Sequence, residues 1–474
     1  MSAPATRDFR RRSTAALADA ELHANLRRAT GQTLAKRRAL LAELPGADAD
    51  REAIAAIRAQ SHAAREALLA QAKVQLAAAG FTVHEAADAA AARALVLALL
   101  EAAGARRVVK SKSMITEEID LNTALADAGI EVVETDLGEF IVQQLGQRPS
   151  HITAPALHLN RRQIGALFAE RGLGPASEDP EALTAQARVH LRAKFLAAEA
   201  GITGANFVVA ETGTLVLLEN EGNIGLSSSL PPLHIAIAGI EKVLPRLADL
   251  DPLLRLLPLN ATGQRAGSYT SLINGPAPAG DGPTARHVIF LDGGRRALAA
   301  SPEAEILACL RCGSCLNVCP CFRHAGGHAY GGVYPGPLGI LLAPYLGGAP
   351  APAGGASAHG PATSLADVCA LCDACAEICP AEIPLPTLIW KARTAREAAS
   401  GAGSARPWRL FAALTARPRA WRFAGALLRL ALKPPLRGLT ARLAPTWNAE
   451  RALPAAPARS FAAELARRHP GRLA

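Results

Sequence analysis

The chain has 474 residues, half of them hydrophobic, enough for about three domains that each bury a core. Its formal charge is +10, but the excess is local: residues 396–474 hold fifteen Lys and Arg against three Asp and Glu, which leaves the rest slightly acidic. All nine cysteines fall between Cys309 and Cys379, which excludes a disulfide framework spread through a secreted fold. No stretch reaches the roughly 18 apolar residues of a membrane span, and the basic N-terminus lacks the apolar run of a secretory signal. These features predict a cytoplasmic globular protein.

Residues 1–80 are predicted to be a helical segment. The stretch after Gly46 begins with the capping candidates Asp48 and Asp50, repeats Ile54, Ile57, Leu68 and Leu76 at helical spacing, and stops at Gly80. Such a pattern describes a packing and assembly face without chemistry of its own.

Residues 81–295 alternate β-rich and helical runs. "RRVVKSK", "GIEVVETD", "NFVVAETGTLVLLENEGN", "LHIAIAGI" and "RHVIFLD" read as strands and "LTAQARVHLRAKFLAAEA" as a helix between them. The fold class is therefore α/β with a mostly parallel sheet, and "AETG" at residues 210–213 predicts a tight hairpin added to it.

Two places in this region are candidate ligand contacts. Lys110, Ser111, Lys112, Ser113 and Thr116 directly follow a strand, where α/β sheets bind ligands, and their ammonium and hydroxyl groups suit a carboxylate or phosphate. Thr116 before Glu117 and Glu118 equally reads as a helix start. Glu211, Glu219, Asn220, Glu221 and Asn223 lie near strand ends, where turn polarity explains them as well as chemistry does. No catalytic residue is assigned, and no strand is followed by a dinucleotide-binding GxGxxG run.

Cys309, Cys312, Cys315 and Cys319 precede Pro320 in a CxxCxxCxxxCP run, and Cys369, Cys372, Cys375 and Cys379 precede Pro380 in the same spacing. The duplicated run is the bacterial-ferredoxin signature for two 4Fe-4S clusters, in which the fourth cysteine of each run ligates the other cluster. Cluster 1 is thus assigned Cys309, Cys312, Cys315 and Cys379, and cluster 2 Cys319, Cys369, Cys372 and Cys375. Zinc is the competing reading, but one run supplies more sulfurs in one place than a paired-CxxC zinc site uses. Cys321 is left over, as a packing thiol or a substitute ligand. The glycine-rich run at residues 326–339 is expected to wrap the first cluster, with His324 or His328 available for hydrogen bonds.

Residues 347–361 form a Gly, Ala and Pro linker between the two runs. The basic tail from 396 reads as a docking surface for an acidic partner or, through Arg417, Arg419, Arg422 and Arg429 around an apolar run, as a peripheral contact with the inner face of a membrane. It carries no nucleic-acid-binding motif.

The blocks "VVKSKSMITEEIDLN", "GITGANFVVAETGTLVLLENEGN", "ATGQRAGSYT" and "CLRCGSCLNVCPCFRHAGGHAYGGVYPGPLG" closely resemble the lactate utilization protein B family over roughly residues 10–395. That resemblance implies a LUD domain at 81–295, similar to the glucosamine-phosphate deaminase, ribose-phosphate isomerase and CoA-transferase fold group. The two cysteine runs, separated by about fifty residues and flanked by helical stretches, place at 296–395 a domain that resembles the α-helical ferredoxin domain of succinate dehydrogenase iron-sulfur subunits, followed by a tail at 396–474. The family also implies partner subunits, one of them cysteine-rich, in an L-lactate dehydrogenase-type complex that oxidises lactate to pyruvate. Cys321 departs from the family, which usually has an aliphatic residue there. Two functions stay open: an electron-transfer subunit, or a ligand-binding or transferase-like module whose clusters are structural.

Overall fold

The computed structural model describes residues 4–278, 281–346, 358, 364–399, 405–434, 436–443 and 452–468. They fall into two units, residues 1–399 and 400–474, taken separately below. The linker expected at residues 347–361 lies outside the described residues except for Ala358.

Ten strands occur among the described residues of the first unit: Thr82–Ala86 (β1), Arg107–Lys110 (β2), Glu131–Glu134 (β3), Ala200–Gly204 (β4), Phe207–Val209 (β5), Thr214–Glu219 (β6), Leu233–Gly239 (β7), Val243–Leu244 (β8), Tyr269–Ile273 (β9) and Ala285–Leu291 (β10). Six form one sheet in the order β1-β10-β7-β4-β2-β3, with every pair parallel. All seven residues of β7 are buried, as a central parallel strand covered on both faces requires. The helices Ala89–Ala102 and Pro180–Ala197 follow β1 and precede β4. Asp88 and Asp179 cap them by accepting backbone N–H groups of the first turn.

The hairpin at residues 210–213 forms, since β5 and β6 pair antiparallel. It does not extend the parallel sheet. It belongs to a second sheet ordered β8-β5-β6-β9. The reason is burial on both faces: Phe207, Val209 and Val216 enter one core, whereas Val208, Leu215 and Leu217 enter another. A strand apolar on both sides is not stable as an exposed sheet edge.

The N-terminal segment forms the helices Pro4–Leu17, Ala20–Ala42, Ala47–Ala63 and Arg65–Ala78. Gly46, in the left-handed region, occupies the N-cap of the third, and Asp48 and Asp50 lie in its first turn, not at its cap. There they still face the positive end of the helix dipole. Leu26 and Ile54 share a core with Leu253, Leu316 and Phe322, which joins the N-terminal helices, the α/β region and the cysteine region. Arg58 ties the same three parts together: it is buried and donates to the carbonyl oxygens of Glu241 (2.7 Å) and Leu307 (2.8 Å).

The second unit contains the helices Ala405–Thr415, Pro418–Ala431, Leu436–Leu443 and Phe461–Arg468. The Trp408, Phe411 and Trp421 rings meet edge-on with centroids about 6 Å apart. Trp408, Leu410, Phe423, Leu428 and Leu439 are more than half exposed. Among the described residues no helix is long and apolar enough to cross a membrane.

Candidate functional site

The two cysteine runs fold as copies of one loop. Each follows a short 3-10 turn, Ala304–Ala308 or Ala366–Val368, and each enters a short helix, Ser314–Val318 or Ala374–Glu377. In both, the residue before the second cysteine is left-handed (Arg311, φ 61°; Leu371, φ 52°), and so is the residue after it (Gly313, φ 78°; Asp373, φ 60°). A non-glycine residue in that region costs roughly 1 kcal/mol. The cost is offset by a backbone N–H directed at sulfur: Arg311 N donates to Cys309 Sγ and Leu371 N to Cys369 Sγ, both at 3.4 Å. Such N–H···S bonds stabilise thiolates that hold a cluster.

Gly313 and Asp373 differ because their surroundings differ. A side chain at 313 would meet His151 Cε1 at 2.9 Å, whereas Asp373 is exposed. His151 is buried, and its Nδ1 accepts from the backbone N–H groups of Thr153 (3.1 Å) and Ala154 (3.2 Å). Burial, with Lys112 nearby, pushes its pKa down to about 3. It is a neutral wall of the first loop.

The cysteines divide into two adjoining groups. Cys312 and Cys315 both have Cys309 and Cys379 as neighbours. Cys319, Cys321, Cys369, Cys372 and Cys375 line one small pocket with Pro320, Pro337 and Pro386. Cys315 also has Cys375 as a neighbour, so the groups adjoin. Cys372 is exposed, whereas Cys312, Cys315, Cys319, Cys375 and Cys379 are buried.

The spacing of the sulfurs separates a cluster from a single ion. Among the described residues, Glu117, Glu134 and Glu139 are the one group of three His, Cys, Asp or Glu whose ligand atoms all lie within 4.8 Å of one another. No three cysteine sulfurs come that close. Zinc bonded to four thiolates at about 2.3 Å would hold them about 3.8 Å apart. The wider array fits a four-iron cluster, and the donor set is all sulfur, as such clusters require.

Cys321 shares the second pocket, where its thiol donates to the carbonyl of Val368 (3.1 Å) and neighbours Cys319. The glycine-rich run does not wrap the first group alone. Tyr330 is buried beside Cys319, Cys321 and Cys369 of the second, and Tyr334 lies under the Arg311 guanidinium of the first, 5.0 Å from its ring centre. Neither histidine hydrogen-bonds a cysteine: His324 bonds the Pro320 carbonyl and His328 the Arg148 carbonyl, each at 2.8 Å.

A cavity of about 340 Å³ adjoins the first loop. It opens at the C-terminal ends of β2, β4 and β7, where Ser111, Gly204 and Gly239 form its floor, and Leu310 and Arg311 contribute part of its wall. This is where parallel sheets bind ligands. Of the candidates read from the sequence, Ser111, Lys112, Ser113, Glu219, Asn220, Glu221 and Asn223 line it. Lys110 does not: it is fully buried, 2.7 Å from Glu134 Oε1, and it donates to Thr116 Oγ1 (2.9 Å). Glu211 does not either; its carboxylate accepts from Leu247 N (2.9 Å). Sequence reasoning missed Glu118, Glu241, Lys242, Arg295 and Arg311. The charged "EK" directly after "LHIAIAGI" and the arginine inside the first CxxC were the available signals.

An α/β domain with a ligand-sized cavity, fused to two cysteine loops that fit four-iron clusters, defines the class: a two-cluster iron-sulfur protein. Residues 69–291 match the LUD domain model and residues 305–383 the 4Fe-4S dicluster domain model, so the chain carries two 4Fe-4S clusters. It is 43% identical over 331 residues to the uncharacterized electron transport protein YkgF of Escherichia coli, covering 69% of this chain and 68% of that one. It is 47% identical over 291 residues to lactate utilization protein B of Bacillus cytotoxicus (61% of this chain, 59% of that one) and 44% identical over 318 residues to that of Shouchella clausii (66% and 65%). The chain belongs to the family of these proteins. The match spans a little under two thirds of the length of the lactate utilization relatives. The crystal structure of a DUF162 family protein from Deinococcus radiodurans aligns with 48% of this chain and 98% of that one, at 16% identity and a TM-score of 0.28.

Proposed function

We propose that the chain is the iron-sulfur electron-transfer subunit of an assembly that oxidises L-lactate to pyruvate, working with other subunits, one of them cysteine-rich. The observation that carries this reading is the pair of matching cysteine loops held in adjoining groups by one hydrophobic core. Relatives named for electron transport and for lactate utilization support it. Bound in these loops, two clusters supply one-electron steps.

In this reading the ligands are crosswise: Cys309, Cys312, Cys315 and Cys379 hold one cluster, and Cys319, Cys369, Cys372 and Cys375 the other. The first group lies beside the cavity and the second has the exposed Cys372, so electrons enter at the first and leave toward partners at the second.

Anaerobic reconstitution tests the proposal. About eight iron atoms per chain and a cubane EPR signal on reduction are expected, and Cys312→Ser halves the iron. About two iron atoms or fewer, without that signal, would end the proposal. The cavity favours a second reading, a ligand-binding or transferase-like module with structural clusters. Lactate oxidation by the assembled complex that survives loss of the Cys312 cluster would select it.

A further inference from the structure

The polar groups of the cavity divide unevenly between engaged acceptors and idle donors. Every carboxylate on its wall already has a donor. Glu118 and Glu241 accept from Arg295 at 2.8 and 2.5 Å. Asp136 accepts from Glu139 N (3.1 Å), Glu219 from Gly225 N (2.8 Å) and Glu221 from Leu137 N (3.1 Å). Four donors on the same wall lack a hydrogen bond. Lys112 and Lys242 make no hydrogen bond or ion pair among the described residues, and the Ser111 hydroxyl is buried without a partner. Both terminal nitrogens of Arg311 also lack a hydrogen bond; its nearest carboxylate oxygen, on Glu241, is 3.7 Å away.

An unpaired donor inside a protein costs roughly 1–3 kcal/mol, more when charged. Two such buried donors, the Ser111 hydroxyl and the Arg311 guanidinium, share a wall with the ammoniums of Lys112 and of Lys242, the latter 5.9 Å from the Phe207 ring centre; an acceptor that binds there explains the arrangement most simply. We infer that the cavity binds an organic anion, with its acidic group held by Lys112, Lys242, Arg311 and the Ser111 hydroxyl and its body against Leu217, Leu257 and Pro258. The volume suits a ligand larger than a three-carbon acid. Arg311 links this site to the first cluster, because its side chain faces the cavity while its own N–H bonds Cys309 Sγ. An anion on that guanidinium lies one residue from Cys312, a ligand assigned to the first cluster, so its charge would bear on that cluster. This inference rests on the electron-transfer reading and names the place where that reading gives electrons entry.

Isothermal titration of the reconstituted full-length chain tests it, with pyruvate and L-lactate as carboxylate probes and flavin mononucleotide as the phosphate-bearing probe. One arm is expected to bind and to shift the EPR signal of the reduced clusters. Lys242→Met is expected to weaken that binding about tenfold or more with iron content unchanged. Lys112→Met, at a partly exposed side chain without a partner, is expected to do the same and decides the matter if Lys242→Met fails to hold iron. No binding by any of the three probes, or binding unaffected by either substitution, would overturn the inference. Intact, reducible clusters without probe binding would sink the cavity assignment alone, whereas probe binding without iron would sink the electron-transfer reading.

Discussion

Arg295 Nε lies 2.5 Å from Glu241 Oε2, and the same guanidinium reaches Glu118 Oε2 at 2.8 Å, with all three side chains at most 4% exposed. Tyr334 completes the group by donating to Glu118 (2.5 Å), so the turn after β7, the helix after β2 and the glycine-rich run meet on one cation. Burial alone would raise the Glu241 pKa, but Arg295 and its cationic neighbours hold it at about 2. A carboxyl depressed in this way stabilises the fold above its unfolded pKa of about 4.5 and loses that contribution as pH falls toward 2. Arg295→Met would leave two buried carboxylates without their cation and is expected to cost about 3–5 kcal/mol. Urea denaturation at pH 7 measures it; a loss under about 1 kcal/mol would show that the pair is hydrated and dispensable.

The second cysteine pocket holds five thiols, of which four are needed. Cys321 is already engaged with the Val368 carbonyl, and Cys319 stands at the position the repeat assigns to a ligand. Cys321→Ser is expected to keep about eight iron atoms per chain, and Cys319→Ser to keep about four. The opposite pattern in iron counts would make Cys321 the ligand. With both clusters in place, Cys321 is also the thiol left open to oxidation, so the Cys321→Ser protein should retain its clusters longer in air.

Lys110 serves three carboxylates at once. Glu134 lies 2.7 Å and Glu117 3.6 Å from its ammonium, whereas both oxygens of the buried Glu139 have no hydrogen-bond partner. Burial and the Glu134 charge push the Glu139 carboxyl well above the usual range. The folded chain therefore keeps a proton that the unfolded chain releases near pH 4.5, and stability from this group is present at low pH and lost as pH rises. Glu139→Gln, which keeps the shape and removes the charge, is expected to raise the melting temperature at pH 8 and to change it little at pH 4. Equal shifts at both pH values would mean that Glu139 titrates normally.

The cysteine loops were legible because cluster ligation fixes both residue type and spacing, and the parallel sheet because buried strands such as β7 are written as unbroken apolar runs. The cavity was only half legible. Ser111 and Lys112 follow a visible strand, but whether a lysine faces a cavity or a buried carboxylate depends on which strand lies beside it. Lys110 sits two residues from Lys112 on the same β2 exit, yet it is taken up by Glu134 because β3 pairs with β2 in register, Lys110 opposite Glu134. Arg311 was hidden differently. It sits inside a motif read for its cysteines, and its link to the cavity depends on the packing of two regions distant in sequence. The hairpin was visible, but its sheet was not, because pairing partners for β5 and β6 come from β8 and β9.

The helix Pro418–Ala431 sets Trp421, Phe423, Leu427 and Leu428, each between 49% and 67% exposed, among Arg419, Arg422 and Arg429. None of its residues is buried, so apart from the edge-on contact of Trp421 with Phe411 packing does not explain the apolar side chains. A basic amphipathic helix of this kind lies in the plane of an anionic lipid surface, with aromatic side chains at headgroup depth. Full-length chain is therefore expected to co-sediment with phosphatidylserine-containing vesicles at low salt and to be released as salt screens the arginines. Each basic residue near such a surface contributes about 1 kcal/mol, so replacing Arg419, Arg422 and Arg429 together with glutamine should weaken binding about a hundredfold. Trp421→Ala should weaken it at every salt concentration, because it removes the apolar part of the contact. Vesicles that fail to retain the chain at low salt would assign this face to an acidic protein partner instead.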